Sequence, residues 1–190
     1  DFNIDFDEID FSKYENLHIV HLGSLMLSEE KGRALAEKIA KKAKDIGTKL
    51  SFDVNFRKDI FRDFDAAKRA YEPFVKRADI VKFSEDELID FTGISDRDKA
   101  AESLCDKNKL ILVTLGKDGS TYYFNGKNGV VPSDYKCKSV DTTGAGDAFF
   151  GAFLAAIESK EMSEENIVSA MRRGNEKGAK TTEFFGAIKL

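Results

Sequence analysis

The feature that most restricts the fold is a hydroxyl- and glycine-rich turn that runs directly into an apolar segment, from Val140 to Gly151 (VDTTGAGDAFFG). The first turn of a helix has backbone N–H groups without partners inside the helix, and the helix dipole adds partial positive charge there. Gly144 and Gly146 lack a β-carbon, so the backbone can approach a bound group closely. The run therefore predicts an anion site at the start of a helix.

Asp147 follows this turn and falls in the first turn of the predicted helix. A carboxylate there can accept a proton from a substrate hydroxyl while the amides behind it hold a phosphoryl group. The run is not a Walker A loop, because no Gly-Lys-Ser/Thr follows, and Phe149 stands where a dinucleotide fingerprint has its third glycine. For a Gly-x-Gly-Asp taken alone, the alternative is a capping Asp beside a two-glycine turn.

The full nonamer DTTGAGDAF resembles the signature of the ribokinase-like (PfkB) family of carbohydrate kinases, and is closest to its fructokinase branch. This resemblance implies that Asp147 is the catalytic base and that the amides of Gly144, Ala145 and Gly146 form the anion hole. It also implies an α/β fold of three layers, α/β/α, with a largely parallel central sheet. The chain resembles the larger, C-terminal part of that fold, so we expect a fragment whose N-terminal strands and lid sheet are missing.

Length and composition set the broad class. With 190 residues, we expect a single domain over 1–190 with a sizeable core. A net charge of −4 without a dense basic block disfavours nucleic acid and anionic lipid as partners. Cys105 and Cys137 are isolated and lack metal-type spacing, which favours free thiols in a reducing compartment. Neither a membrane-spanning run nor a signal peptide is evident, so we expect a cytoplasmic protein.

The first half of the chain alternates between strand and helix patterns. Asn16–Gly23 and Lys49–Val54 are predicted strands, and Ser28–Gly47 carries apolar residues at helical spacing. This order predicts a right-handed βαβ unit in a parallel sheet. The remaining predicted elements are a helix over Phe61–Arg77 interrupted near Pro73, a strand over 78–83, a helix over 98–108, a strand over 109–115, short strands over 127–131 and 135–140, and helices over 145–158 and 163–180.

Asp53, Asn55 and Arg57 lie where the second strand ends, at the edge where ligands collect in open parallel sheets. A loop with Asx-turns and a surface arginine is the alternative. The spacing is similar to the family's Asp-Pro-Asn-x-Arg motif, with Val54 in place of Pro. The resemblance implies substrate-binding roles for these three side chains, with Arg57 facing substrate or phosphates.

The segment Ser84-Glu85-Asp86-Glu87 follows the third strand. An N-cap serine with acidic residues in the first turn accounts for it well. The position also matches the family's N-x-x-E motif, with Ser84 in place of Asn. That match implies that Glu87 organises the water shell of Mg²⁺.

The resemblance assigns further residues to nucleotide and cation binding. Thr114, Gly116 and Gly119 match the family's T-x-G-x-x-G near the nucleotide, with Lys117 between them, although a plain turn would account for Gly119. Asn175 matches a residue beside adenine. The tail Phe184–Ile188 resembles a loop that holds a monovalent cation, K⁺, together with the residues matching Asp141 and Thr143.

These observations predict ATP-dependent phosphorylation of a small sugar, with fructose as the expected acceptor and ATP and Mg²⁺ as cofactors. A ketodeoxygluconate kinase or a nucleoside kinase of the same family is the nearest alternative. A non-catalytic nucleotide-binding module is an alternative from another class, while a NAD-dependent oxidoreductase is disfavoured by the absent fingerprint. Family members often dimerise through the lid, which implies a homodimer formed by a part outside these residues.

Overall fold

The computed structural model describes residues 4–14, 16–57, 60–61 and 63–187. The chain divides into two compact units, one that ends at Ile111 and one that begins at Leu112. The expected single domain over residues 1–190 stays a prediction.

The first unit alternates strands and helices along the chain. Parallel pairing joins its strands, with Ile19 opposite Lys49 and Ser51 opposite Ile80. The strand order follows the chain from β1 through β3 to the beginning of β4, which confirms the expected α/β class with parallel strands. The elements are β1 (Ile19–Gly23), α1 (Glu30–Asp45), β2 (Lys49–Asp53), α2 (Phe64–Arg77), β3 (Ile80–Ser84), α3 (Glu85–Thr92), α4 (Arg97–Leu104) and the start of β4 (Leu110–Thr114).

Helix α1 buries one face and stops at a glycine, as its pattern predicts. Leu35, Ala36, Ala40 and Ala43 are buried at helical spacing, and Gly47 just after the helix has a φ of +72°. The predicted start at Ser28 is wrong by two residues, because residues 24–28 form a 3₁₀ turn first.

Helix α2 runs through Pro73 without a break, so the predicted interruption is wrong. Proline removes one backbone donor from the helix. The buried face outweighs that loss: Phe74 stacks on Phe52 with ring centroids 5.6 Å apart, and Tyr71 meets Phe61 edge to face at 5.2 Å. Packing of these aromatic side chains holds the helix together across the proline.

The second unit contains the rest of β4, an antiparallel hairpin and two helices. Asn125 and Gly126 join the hairpin strands, and their φ values of +50° and +75° suit a two-residue type I′ turn. The buried side chains Phe149, Phe153 and Met171 form part of its core. The elements are a 3₁₀ turn (Gly116–Asp118), β5 (Ser120–Phe124), β6 (Lys127–Val131), α5 (Ala145–Ile157) and α6 (Glu164–Thr181).

The segment Tyr135–Val140 is not a strand, contrary to the prediction. Its last residue donates its backbone N–H to the carbonyl of Thr182 at 2.7 Å, which ties the segment to the end of α6. The predicted helices α5 and α6 are confirmed, including the predicted cap of α6 by Ser163. Within the described part of the chain, no helix combines the length and the apolar character needed to cross a membrane.

Candidate functional site

The turn over residues 141–147, here called the Asp147 turn, opens helix α5 in the second unit. Gly144 is the N-cap residue, with a φ of +77° that residues with a β-carbon rarely adopt. A β-carbon at this position would also lie 2.6 Å from the β-carbon of Ala187. Both the backbone conformation and the close neighbour therefore require glycine here.

The backbone donors of the turn divide into engaged and open groups. The N–H of Ala145 donates to the carbonyl of Thr142 at 3.2 Å, and Ala148 donates to Gly144 at 2.9 Å. No hydrogen bond to another described residue engages the N–H groups of Gly146 and Asp147. These two groups therefore have free donor capacity for an anion at the positive end of α5. The predicted anion hole comprised the amides of Gly144, Ala145 and Gly146, and the Ala145 amide is already engaged within the turn.

Asp147 lies in the first turn of α5 with an exposed side chain. Its carboxylate has no hydrogen bond or ion pair to any other residue that the structure describes. Both oxygens are therefore open to a hydroxyl group from solvent or substrate. This arrangement allows the chemistry expected of a general base, and the assignment of that role stays a prediction.

Asp141 is held at the start of the Asp147 turn by three hydrogen bonds to its carboxylate. Oδ1 accepts the backbone N–H of Thr143 at 2.9 Å and its hydroxyl at 2.7 Å, while Oδ2 accepts the N–H of Gly186 at 2.9 Å. The Gly186 and Thr143 donors hold the pKa of the Asp141 carboxyl below its usual value. Asp141 thus remains an anion that joins the turn to the segment after α6.

Helix α6 supports the Asp147 turn through two glycines that the sequence interpretation missed. A β-carbon at Gly178 would lie 3.0 Å from the carbonyl oxygen of Ala145, and one at Gly174 would lie 2.8 Å from the ring of Phe149. Only a bare backbone allows α6 to pack this closely on the first turns of α5. The spacing of four residues between the two glycines on one helix was the available signal.

The predicted nucleotide-binding residues of the loop after β4 lie close together in the second unit. Thr114 ends β4 and is half-buried, whereas Gly116 and Lys117 are exposed in the 3₁₀ turn. Gly119 has a φ of +105°, and a β-carbon there would lie 2.7 Å from the backbone nitrogen of Ser133. Close packing therefore explains Gly119, while the nucleotide contact of all four residues stays a prediction.

Asn175 is buried on α6, and both its amide oxygen and its amide nitrogen are hydrogen-bonded inside the second unit. Its Oδ1 accepts the hydroxyl of Ser120 at 2.9 Å, and its Nδ2 donates to the carbonyls of Val131 at 2.9 Å and Pro132 at 3.3 Å. The amide thus joins α6 to the hairpin. The expected place of Asn175 beside adenine stays a prediction. In that place, the amide of Asn175 would keep its hydrogen bonds to other residues of the protein.

The segment Asp53–Arg57, here called the DVNFR loop, leaves the carboxyl end of β2 in the first unit. Asp53 forms a buried ion pair with Lys82 on β3, with Oδ1 and Nζ 2.9 Å apart and side chains 5% and 6% exposed. Each charge depends on the other, because removing one partner would leave a buried charge without compensation. Sequence reasoning missed Lys82, although a lysine in the apolar run IVKF was the available signal.

Glu87 links helix α3 to the DVNFR loop. Its Oε2 accepts the backbone N–H of Ser84 at 2.7 Å, and the Ser84 hydroxyl accepts the N–H of Glu87 at 3.3 Å, so the predicted capping interaction is confirmed as a complete capping box. Its Oε1 accepts the N–H of Phe56 at 3.0 Å. Each carboxylate oxygen keeps a lone pair that can accept from water.

The oxygen donors at these positions suit the cations that the sequence predicts. Mg²⁺ keeps several waters and uses few protein carboxylates, which fits a half-buried carboxylate such as Glu87 whose oxygens can accept further hydrogen bonds from water. A monovalent cation also takes oxygen ligands, and Asp141 and Thr143 offer them beside Gly186. Among the described residues, no cluster of three or more His, Cys, Asp and Glu side chains is arranged to hold a metal.

Within each unit the structure brings predicted residues together. In the first unit, the Asn55 side chain accepts from Arg57 Nε at 3.1 Å, and the loop that carries both is bonded to Lys82 and Glu87. In the second unit, Asp141 and Thr143 are bonded at the entrance to the Asp147 turn.

Comparisons with known proteins identify related chains. Residues 2–189 match the family described as pfkB family carbohydrate kinase. Fructokinase-1 of Zea mays is 37% identical over 187 residues, which cover 96% of this chain and 58% of that protein.

Two solved structures are also similar. The fructokinase from Vibrio cholerae O395, in a fructose, ADP and calcium ion bound form, has a TM-score of 0.86 and 28% identity over 97% of this chain and 60% of that one. The aminoimidazole riboside kinase from Salmonella enterica, complexed with aminoimidazole riboside and an ATP analog, has a TM-score of 0.80 and 27% identity over 89% and 57%. The chain spans 57% to 60% of the length of these three relatives.

Proposed function

Because the chain belongs to the pfkB family of carbohydrate kinases, we propose that it supplies the nucleotide-binding and catalytic part of an ATP-dependent sugar kinase with fructose as the acceptor. The observation that carries this proposal is the exposed Asp147 carboxylate beside the open N–H groups of Gly146 and Asp147 at the start of α5. The fructokinase names of the relatives support the choice of sugar.

In the proposed reaction, Asp147 accepts the proton of the sugar hydroxyl as its oxygen attacks the γ-phosphorus of ATP. The bond between that phosphorus and the bridging oxygen breaks, and ADP leaves with the electron pair. The backbone donors of the Asp147 turn stabilise negative charge on the transferring group, at the positive end of the helix dipole. Positioning and charge stabilisation supply most of the rate enhancement in such a transfer.

Other residues of the chain orient the reactants in this proposal. Arg57 binds anionic groups of the substrate or the nucleotide, since a guanidinium matches phosphate geometry. Glu87 orders waters around Mg²⁺, which neutralises charge on the phosphates when bound. Asp141 and Thr143 hold K⁺ at the entrance to the Asp147 turn. Thr114, Gly116, Lys117 and Gly119 border the nucleotide, beside Asn175.

A nucleoside is the second candidate acceptor. The similarity to a riboside kinase from Salmonella enterica at a TM-score of 0.80 favours it. Both candidates present a hydroxyl to the same base, so the difference between them lies in how the acceptor is bound.

The test is ADP release by the purified chain with ATP and Mg²⁺, against a panel of sugars and nucleosides that includes fructose and ketodeoxygluconate. We expect fructose-dependent release, and a loss of about 10²- to 10⁴-fold in kcat for Asp147→Asn. Asp134→Asn is the matched control, because Asp134 is an exposed aspartate of the same unit outside the turn. An Asp147→Asn variant with wild-type kcat would refute the base assignment.

Calorimetry with ATP separates the remaining possibilities. Binding of ATP without ADP release for any acceptor would replace the proposal with a non-catalytic nucleotide-binding module. ADP release with a nucleoside and not with fructose would support the second candidate, in which a nucleoside is the acceptor.

A further inference from the structure

Ser24 lies directly after β1 and is fully buried, with 0% of its surface exposed. Its hydroxyl donates to the carbonyl of Asn55 at 2.9 Å and accepts the N–H of the same residue at 3.1 Å. One side chain thus satisfies both backbone groups of a residue 31 positions away. In the described part of the chain, no other group bonds to the Asn55 backbone.

The next link runs from Asn55 to Arg57. The Oδ1 of Asn55 accepts Nε–H of Arg57 at 3.1 Å, so the Asn55 side chain restrains one edge of the guanidinium. The Arg57 carbonyl accepts the N–H groups of Ile60 at 3.1 Å and Phe61 at 2.9 Å, which fixes its backbone. Among the residues that the structure describes, Asn55 is the one that bonds to this exposed guanidinium, so the direction of the guanidinium depends on that contact.

The flanks of the DVNFR loop have their own anchors. Asp53 is held by Lys82, and the N–H of Phe56 is held by Glu87. Ser24 holds the residue between these two anchors. Without its hydroxyl, both backbone groups of the half-buried Asn55 would lose their partner, and the free energy cost of leaving them unpaired favours a shift of the loop.

We propose that Ser24 is a positioning residue, which sets the direction of the Arg57 guanidinium through Asn55. Ser24 contacts no reacting group, and its effect on turnover passes through Arg57. The inference rests on the proposed function for the role of Arg57 in binding, while the contact between Ser24 and the loop is independent of it.

The test compares Ser24→Ala with Ser51→Ala. Ser51 is an equally buried serine of the same unit, and its hydroxyl contacts His21 Nδ1 at 3.0 Å, outside the loop. The first readout is the Nε–H signal of Arg57 in an NMR spectrum of the whole chain. We expect this signal to move towards that of a solvated arginine in Ser24→Ala and to stay unchanged in Ser51→Ala. An unchanged Arg57 signal in folded Ser24→Ala would overturn the inference.

The second readout is steady-state kinetics, with Arg57→Ala and the double variant completing a cycle. A misplaced binding group can cost up to about 100-fold, and we expect Ser24→Ala to lower kcat/KM by about 10-fold or more. The same substitution should have little further effect once Arg57 is alanine. Losses that simply multiply in the double variant would overturn the positioning role. If the wild type shows no turnover, the proposed function fails, and the NMR signal alone decides this inference.

Discussion

The carboxylate of Asp141 accepts the backbone N–H of Gly186 at 2.9 Å, across 45 residues of sequence. The carbonyl of Thr182 accepts the N–H groups of Val140 and Asp141 at 2.7 and 3.1 Å, so the same two segments are joined again four residues earlier. Together with the contact of Ala187 on Gly144, these bonds make the segment after α6 one side of the Asp147 turn.

Substituting Asp141 by Asn should loosen the segment after α6. The Gly186 and Thr143 donors hold the pKa of Asp141 below its usual value, so these bonds persist above about pH 3.9 and are lost as pH falls through the lower folded pKa. We expect the amide signals of Gly186 and Thr143 in NMR spectra to titrate with a midpoint below about 3.9. In Asp141→Asn that acid titration should disappear, whereas a variant at exposed Asp134 should keep it.

Replacing Gly144 by Ala should destabilise the protein and impair the Asp147 turn. The new β-carbon meets both an unfavourable φ and the side chain of Ala187, which predicts a loss of about 1–3 kcal/mol in the free energy of unfolding. Gly151→Ala is the control within α5, since a β-carbon there meets open space and should add about 0.5–1 kcal/mol. Urea denaturation of both variants measures the difference, and equal effects would contradict the strain at Gly144.

Glu87 has a structural role and an expected metal role, and two substitutions test them. Glu87→Ala removes the capping box and the bond to Phe56, which should lower the free energy of unfolding by about 1–3 kcal/mol. Glu87→Gln keeps one acceptor oxygen, which can retain either the bond from Ser84 or the bond from Phe56, and it loses the charge. We expect the Mg²⁺ concentration for half-maximal activity to rise by about 10- to 100-fold in Glu87→Gln.

Asp86→Asn is the control for the metal role, because Asp86 is an exposed acid in the same helical turn. If Glu87→Gln and Asp86→Asn need the same Mg²⁺ concentration as the wild type, Glu87 acts only through its hydrogen bonds to Ser84 and Phe56.

Tyr71→Phe should leave stability nearly unchanged at neutral pH and improve it in strong base. The buried hydroxyl has no hydrogen-bond partner among the described residues, although Ser24 lies close enough to lower its pKa. Its removal should therefore change the free energy of unfolding by less than about 1 kcal/mol.

The high-pH effect follows from the pKa of Tyr71, which burial raises from 10.0 to about 12. The folded protein keeps this proton at pH values where the unfolded chain has lost it, so stability falls as pH rises from about 10 to about 12. Urea denaturation across this range should show a shallower fall for Tyr71→Phe than for the wild type. Tyr14→Phe, at an exposed tyrosine, should follow the wild type.

Local signals in the sequence predicted local structure well. The Ser84-x-x-Glu87 spacing forms a complete capping box, and Ser163 caps α6 as predicted. In the Gly-Ala-Gly-Asp run, helix α5 begins at Ala145. The residue before it is Gly144, whose φ of +77° requires glycine. These features depend on backbone chemistry within a few residues, which is what a sequence pattern records.

Contacts between distant segments could not be predicted in the same way. Ser24 and Asn55, or Lys82 and Asp53, meet because the fold brings separate strand ends together, and their residue types alone do not name the partner. The error at Pro73 has the same origin, since aromatic packing from β2 outweighs the local cost of proline. Tyr135–Val140 has a strand-like composition, yet its end bonds to Thr182 instead of a neighbouring strand.

The hydrogen bonds of Asn175 join helix α6 to both strands of the hairpin. Its amide is hydrogen-bonded to Ser120 on β5 and to Val131 at the end of β6. A movement of the hairpin relative to α6 would therefore break buried hydrogen bonds. Helix α6 also packs closely at Gly178 against the carbonyl of Ala145, in the first turn of α5. A ligand that shifted the hairpin together with α6 would therefore change the packing against the backbone two residues before Asp147.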